Sequence, residues 1–173
     1  ARSGTGVVDV LFSESATSPT MPASYDFKRL IGAVFNNSGG ALELFTAYET
    51  EGGGLEVSWN APTMDVDSAN TVTTARSTFA LKVPLNFSTI AHMNARVTDT
   101  GNIVAWLSCP DYDDAAPSDT VAPLGNARVS NSTVLTQMFI RTSSTGTIAV
   151  RTDANTIDLL EIVTLGFRWA RRN

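Results

Sequence analysis

The chain has 173 residues, of which 43% are hydrophobic and 17% charged, so it has enough apolar residues to form a core and is not disordered. Its formal net charge of −5 argues against a nucleic-acid partner, because phosphates require a basic protein surface. The single cysteine excludes an internal disulfide, and no apolar stretch is long enough to insert into a membrane.

Hydrophobic alternation predicts about ten strands along the chain. Segments 54–59, 91–98 and 147–152 alternate between apolar and polar residues, which is typical of strands with one buried face. Four runs are apolar on both faces and are interpreted as strands between two layers or at a subunit contact: 7–12, 103–107, 134–140 and 157–167. Three further strands are predicted at 29–35, 41–48 and 77–83.

Turn-forming residues separate these strands. Hairpins are predicted at "NNSGG" (36–40), "EGGG" (51–54), "DTGN" (99–102) and "STG" (144–146), and one helical turn at 22–29. The pattern predicts an all-β protein, an antiparallel β-sandwich of jelly-roll type that forms a single domain over residues 1–173. The turn-like "RSGTG" (2–6) lacks a strand before it, so we expect the C-terminal part of a longer chain.

The sequence offers little support for nucleophilic catalysis. His92 is the only histidine, and it lies on the polar side of a predicted strand. Cys109 ends another strand, where a single thiol usually serves as a small apolar side chain. No G-x-S-x-G motif is present. We therefore predict no catalytic residues, no enzymatic activity and no cofactor.

Carboxylates provide two further candidate sites. Glu43, Glu56 and Glu161 lie in predicted strands and are candidates for the two acids of a glycosidase, although a rim position or an arginine partner is the more common arrangement. Asp111, Asp113 and Asp114 lie in "CPDYDDAAPSD" (109–119) and are weak calcium candidates, because their spacing matches no known calcium loop. The alternative interpretation is an acidic surface loop between strands.

Aromatic and basic residues are the candidates for ligand binding. Tyr112, Trp59 and Trp169 have rings that can stack on a sugar, although a tryptophan on an alternating strand more often lies in the core. Trp106 presents the same choice. In the basic C-terminal segment 168–172, Arg171 and Arg172 are candidates to pair with an acidic glycan or with acids of a neighbouring subunit, although a solvated tail is the more common arrangement.

Several motifs, in order, resemble those of structural proteins of tailed phages and prophages. They are "VVDVLFSESATSPTMPASYDFKRLIGAVF" (7–35), Trp59 and Pro62 followed by "DVD" (65–67), "LSCPDYDDAAPSDTVAPL" (107–124) and "TLGFRWARRN" (164–173). The chain is thus similar to C-terminal domains of tail fibres and other virion attachment proteins. In that family a further strand precedes this region, and the resemblance implies no catalytic residues.

The resemblance implies a virion location on an exterior appendage such as a tail fibre. The leading hypothesis is a distal tail-fibre or receptor-binding domain that attaches the virion to a host-surface glycan. Three copies of the chain would form a homotrimer, and this trimer would bind other virion proteins. The second hypothesis is a head-fibre, decoration or baseplate protein that binds only virion proteins. The third is a polysaccharide depolymerase domain that acts through two acids.

Overall fold

The computed structural model describes residues 6, 8–15, 18–36, 39–51, 53–118, 127–153 and 156–169. Within them the protein is all-β and antiparallel, and it contains no helix. Eight strands are present: β1 (Phe45–Glu49), β2 (Leu55–Trp59), β3 (Met64–Ala69), β4 (Ser77–Ala80), β5 (Ile90–Ser108), β6 (Ala127–Arg141), β7 (Thr147–Thr152) and β8 (Leu159–Trp169).

All eight strands belong to one curled sheet that resembles half of a barrel. The order is β1-β2-β8-β5-β7-β4, with β3 added beside β8 and β6 added beside β5. The 19-residue strand β5 is the centre, since β6, β7 and β8 all pair with it. The sheet curls enough that Trp106, near the end of β5, and Phe139, which pairs with His92 near its start, line the same cavity.

The core lies on the inner side of this curl, where the alternating segments place their apolar residues. In the segment 91–98, Ala91, Met93, Ala95 and Val97 are fully buried, as the alternation predicts. Trp59 packs against Phe167 with ring centroids 5.6 Å apart, and its Nε1 donates to the carbonyl of Lys82 at 3.2 Å. Burial of these large side chains from β2, β5 and β8 is the main stabilising contribution.

The predicted hairpin at 99–102 is wrong. β5 continues through these residues, and its pairing with β6 shifts between Asp99 and Asn102. The carboxylate of Asp99 accepts the Gly101 N–H at 2.6 Å, and the Asp158 carboxylate accepts the Thr100 N–H at 2.9 Å. The segment Asp-Thr-Gly-Asn therefore forms a β-bulge inside one strand instead of a turn between two strands.

The other predicted turns have mixed outcomes. The 51–54 turn joins β1 to β2 as predicted, with Gly53 at φ +77°. A tight turn also closes at 143–147, where Ser143 N–H donates to the Thr147 carbonyl at 3.0 Å, but the flanking strands β6 and β7 each pair with β5. At 36–40, Asn36 and Leu42 form an isolated antiparallel bridge, while residues 37 and 38 lie outside the described residues.

Contacts divide the chain into two compact units, Ala1–Ala33 and Val34–Asn173, and all eight strands belong to the second. The predicted strands at 7–12 and 29–35 are not formed within the described residues. The predicted helical turn at 22–29 is instead a β-turn, in which Tyr25 N–H donates to the Pro22 carbonyl at 3.2 Å and Ser24 has φ +71°. In the first unit Val8 and Phe12 are strongly exposed, at 76% and 80%. The expectation of a single domain stays a prediction.

Candidate functional site

The outer face of β6, β5 and β8 carries large side chains in register. Ile90 of β5 pairs with Arg141 of β6 on one side and with Arg168 of β8 on the other. In the next outward row, His92 pairs with Phe139, and the two rings stack with centroids 4.4 Å apart and planes 18° apart. The guanidinium carbon of Arg168 also lies 4.4 Å from the Phe139 ring centroid. The Phe139 ring of β6 is thus contacted by His92 from the adjacent strand β5 and by Arg168 from β8, one strand further.

A first groove, cleft A, opens beside Phe139. It has a volume of about 230 Å³, and its lining combines Trp106, Tyr112 and Phe139 with the guanidinium-bearing Arg141. Three buried residues form its floor: Leu107 of β5, Cys109 directly after β5, and Ile140 of β6. Tyr112 and Phe139 are about half exposed, at 50% and 47%, so their rings are accessible to a ligand.

A proline turn positions Tyr112 at cleft A. The Tyr112 N–H donates to the Cys109 carbonyl at 3.1 Å, which closes a four-residue turn with Pro110 in its second position, the position that proline favours. Arg76 fixes this turn from outside, since its two terminal nitrogens donate to the carbonyls of Cys109 at 2.8 Å and Tyr112 at 3.0 Å. The turn is therefore stabilised by the Arg76 guanidinium group as well as by its own backbone hydrogen bond.

Arginines neutralise the acidic loop that was the calcium candidate. Asp111 lies 3.9 Å from Arg141, and Asp114 lies 2.8 Å from Arg151. In the part of the chain that the structure describes, no three acidic, histidine or cysteine side chains form a metal-binding group. Asp113 is exposed, and Asp119 lies outside the described residues. Arginines thus supply a counter-charge to two of the candidate carboxylates, and calcium binding by Asp111, Asp113 and Asp114 stays a prediction.

Cys109 and His92 both lie near cleft A without forming a catalytic pair. Cys109 is fully buried in the floor, and this burial raises the pKa of its thiol, whereas a nucleophilic cysteine needs a lowered one. The His92 ring is occupied by its stack on Phe139. Its Nε2 is buried and has no hydrogen-bond partner among the described residues.

A second groove, cleft B, lies beyond Arg168. It has a volume of about 350 Å³ and is lined by Thr50, Glu56, Ile90, Arg168 and Trp169. The Arg168 Nε donates to the Glu56 carboxylate at 2.8 Å, so the two charges of this cleft are paired. Trp169 packs edge-on against Phe87, with centroids 6.3 Å apart, which orients the indole at the cleft.

The structure distributes the predicted binding residues unevenly. Tyr112 lies in cleft A and Trp169 in cleft B. Trp59 is 4% exposed, so the hypothesis that it stacks on a ligand is wrong, and its indole belongs to the core. Arg171 lies outside the described residues.

Sequence reasoning missed Phe139 and Arg141. The segment 134–140 was predicted to be covered on both faces, yet its alternation places Leu135 and Phe139 outward, at 71% and 47% exposure. That alternation, continued to Arg141, was the available signal for a half-exposed strand. Arg76 carried no signal, because its role depends on where the Cys109–Tyr112 turn lies in space.

Each of the three candidate strand acids has a cationic partner. Glu43 lies 3.1 Å from Lys82, Glu56 pairs with Arg168, and Glu161 contacts the Arg96 guanidinium. The expectation of arginine partners is confirmed for Glu56 and Glu161. Glu161 also faces Asp67 across the β3–β8 ladder, so two carboxylates lie opposite each other on neighbouring strands.

A further acid, Asp65, was not a candidate in the sequence. Its Oδ2 accepts the Lys82 backbone N–H at 3.1 Å, beside the Lys82–Glu43 ion pair. Burial raises the pKa of Asp65 above its usual 3.8, although the hydrogen bond from the Lys82 N–H and the charge of Lys82 oppose this rise. Asp65 lies in neither cleft A nor cleft B.

No protein-family model matches the chain, and no curated protein matches it. Among the described residues there is no helix with the length and hydropathy that a membrane span requires.

Proposed function

We propose that this protein is a phage virion structural protein whose second unit is a tail-fibre or receptor-binding module for a host-surface glycan. The observation that carries the proposal is the composition of cleft A. Three aromatic side chains line a groove that also holds Arg141, next to its ion-pair partner Asp111. Aromatic rings stack on the C–H faces of sugars, while fixed charged groups donate to and accept from sugar hydroxyls.

The phage assignment draws on the ordered motifs in the sequence, and cleft A adds a surface with matching chemistry. The loop "LSCPDYDDAAPSD", one of those motifs, contributes Tyr112 to cleft A. We also propose that the curled sheet is the inner part of a jelly-roll sandwich, since its curl places strands on both sides of one core.

Assembly as a homotrimer belongs to the same proposal. A groove of this size binds one or two sugar units weakly, and several copies on one fibre would raise the overall avidity. Exposed apolar residues of β6, Leu135 above all, are suited to contacts between copies.

The test is binding of the purified protein to lipopolysaccharide and capsular polysaccharide from candidate host strains. We expect Tyr112→Ala to lower binding by about tenfold, equivalent to about 1.4 kcal/mol. The matched control is Tyr48→Ala, which removes a tyrosine that is 62% exposed, against 50% for Tyr112, and that lines neither cleft. Equal binding by both variants, or no glycan binding by the folded wild type, contradicts the proposal.

The second candidate is a head-fibre, decoration or baseplate protein that binds only other virion proteins. The exposed apolar side chains of β6 favour it, because such residues mark protein contacts as readily as ligand sites. Labelling of the protein on the capsid, together with an absence of glycan binding, would support this alternative.

The third candidate is a polysaccharide depolymerase, and the opposed carboxylates Glu161 and Asp67 are the observation that favours it. Cross-strand Cβ atoms lie about 5 Å apart, close to the carboxyl separation of retaining glycosidases. Shortening of host polysaccharide by the wild type but not by Glu161→Gln would establish this activity. Equal shortening by both would remove Glu161 from consideration.

A further inference from the structure

Clefts A and B are adjacent, and one stack of side chains forms the boundary between them. Phe139 lines cleft A, Arg168 lines cleft B, and the guanidinium carbon of Arg168 lies 4.4 Å from the Phe139 ring centroid. Ile90, a lining residue of cleft B, pairs directly with Arg141, a lining residue of cleft A. The two grooves therefore adjoin at the Arg168–Phe139 contact and at the Ile90–Arg141 pair.

The spacing of the two grooves follows from the strand ladder. Arg141, Ile90 and Arg168 occupy corresponding positions on β6, β5 and β8, so the two arginines stand two strand intervals apart, about 10 Å. A single sugar ring is shorter than this distance, whereas a short oligosaccharide spans it. Each groove also contributes an aromatic side chain: Tyr112 in cleft A and Trp169 in cleft B.

The charges of the surface are balanced within each groove. Arg141 lies 3.9 Å from Asp111, and Arg168 is paired with Glu56, so the arginine that lines each cleft has one carboxylate beside it. A strongly anionic ligand would gain from each arginine and lose a comparable amount to each carboxylate. Paired charges that offer both donors and acceptors are instead suited to the hydroxyl groups of a neutral sugar.

We propose that clefts A and B are two subsites of one extended site, which binds an internal stretch of a neutral, linear oligosaccharide across the Phe139–Arg168 stack. The inference rests on the glycan binding proposed above and adds the ligand's length and charge. Binding across two subsites means that recognition does not depend on a chain end. The site therefore suits a repeating surface polysaccharide with many equivalent attachment points.

The experiment uses an array of neutral linear gluco-, manno- and galacto-oligosaccharides of one to six units, beside uronic-acid-containing oligomers of the same lengths. The best neutral series is then titrated by calorimetry. We expect affinity to rise at least tenfold between the disaccharide and the tetrasaccharide and to level off afterwards. Equal affinity for all lengths overturns the two-subsite inference, and tenfold tighter binding of the acidic series overturns its charge assignment.

Two variants separate the subsites. Trp169→Ala removes the aromatic of cleft B, and Thr50→Trp fills the same cleft from its rim without removing a core side chain. Each is expected to lower tetrasaccharide affinity about tenfold and to leave disaccharide affinity within about twofold. Unchanged tetrasaccharide affinity in Thr50→Trp overturns the inference while glycan binding itself stands. If the folded wild type binds no oligosaccharide, both the proposed function and this inference fail.

Discussion

At the residue scale, Gly166 lies in a place where the neighbouring backbone leaves no room for a side chain. It pairs with Ser58 in the β2–β8 ladder, and a Cβ atom there would lie 1.9 Å from the Val57 carbonyl oxygen. That atom belongs to the backbone of the neighbouring strand, so relief requires the two strands to separate. We expect Gly166→Ala to lower the free energy of unfolding by about 3 kcal/mol or more, measured by urea denaturation.

Gly40→Ala is the control for this substitution. Gly40 has φ +78° but open space around its Cβ position, so alanine there introduces backbone strain without a collision. We expect a cost of about 1 kcal/mol. Equal costs at positions 40 and 166 would mean that the approach of β2 to Gly166 is not limiting.

Asp65 makes stability depend on pH in a defined direction. Because burial raises its pKa above 3.8 in the folded protein, the folded state holds this proton more tightly than the unfolded chain. The resulting stabilisation is complete below the unfolded pKa and is lost as pH rises through the folded pKa. Asp65→Asn has no such proton, so we expect its free energy of unfolding minus that of the wild type to rise between about pH 3 and pH 7.

Urea denaturation of both proteins across this pH range measures the effect. Asp65→Ala is the matched variant, because it removes the titratable carboxyl group and also the oxygen that accepts the Lys82 N–H. It should share the altered pH dependence of Asp65→Asn and be less stable at every pH by about 1 kcal/mol. Parallel curves for wild type and Asp65→Asn would show that the buried carboxyl does not contribute this dependence.

At the element scale, the Cys109–Tyr112 turn depends on Arg76, which donates to two of its carbonyls. We expect Arg76→Ala to cost about 1–2 kcal/mol of stability and to accelerate hydrogen exchange at the Tyr112 amide by about tenfold. Arg141→Ala is the control, since Arg141 faces only the Asp111 side chain of this turn, at 3.9 Å. Equal exchange rates at the Tyr112 amide in both variants would contradict the clamping role of Arg76.

Hydrophobic alternation in the sequence predicts some strands of this sheet and misses others. The alternation in 91–98 gave the correct inward residues, and β7 has the bounds of the segment 147–152. The single buried face predicted for β7 is incomplete, because Ala149, on the opposite face from Ile148 and Val150, is buried as well. β3 was missed because its "MDVDSA" buries only Val66, so hydrophobic alternation is too weak there. The bulge at 99–102 has the composition of a hairpin, and only the pairing with β6 decides between the two.

The candidate site was predictable only in its individual side chains. Tyr112 and Trp169 were proposed from their residue type and their surroundings. The association of Tyr112 with Phe139 and Arg141 in cleft A depends on the curl of β5, which places its end near the end of β6. Curl arises from strand twist and bulges accumulated over many residues, and no local sequence pattern specifies the resulting contact.

At the scale of the whole molecule, β6 is the surface through which we expect copies of the chain to associate. It lies beside β5 at an edge of the sheet, and its residues 129–140 contain no charged side chain. Uncharged, partly apolar edge strands favour association, because their backbone groups and side chains remain available for pairing. Leu135, 71% exposed, lies four residues before Phe139, so contacts centred on it would leave the Arg141 end of cleft A open.

We therefore expect the protein to assemble through β6, with a mass by light scattering near three times the 18.4 kDa of one chain at micromolar concentration. Leu135→Lys should return the mass to that of one chain, because a lysine on an edge strand opposes strand association. Tyr48→Lys makes the same charge change at an exposed position of β1 and should leave the assembly intact. A monomeric wild type contradicts the assembly, and dissociation by Tyr48→Lys alone would place the contact on β1.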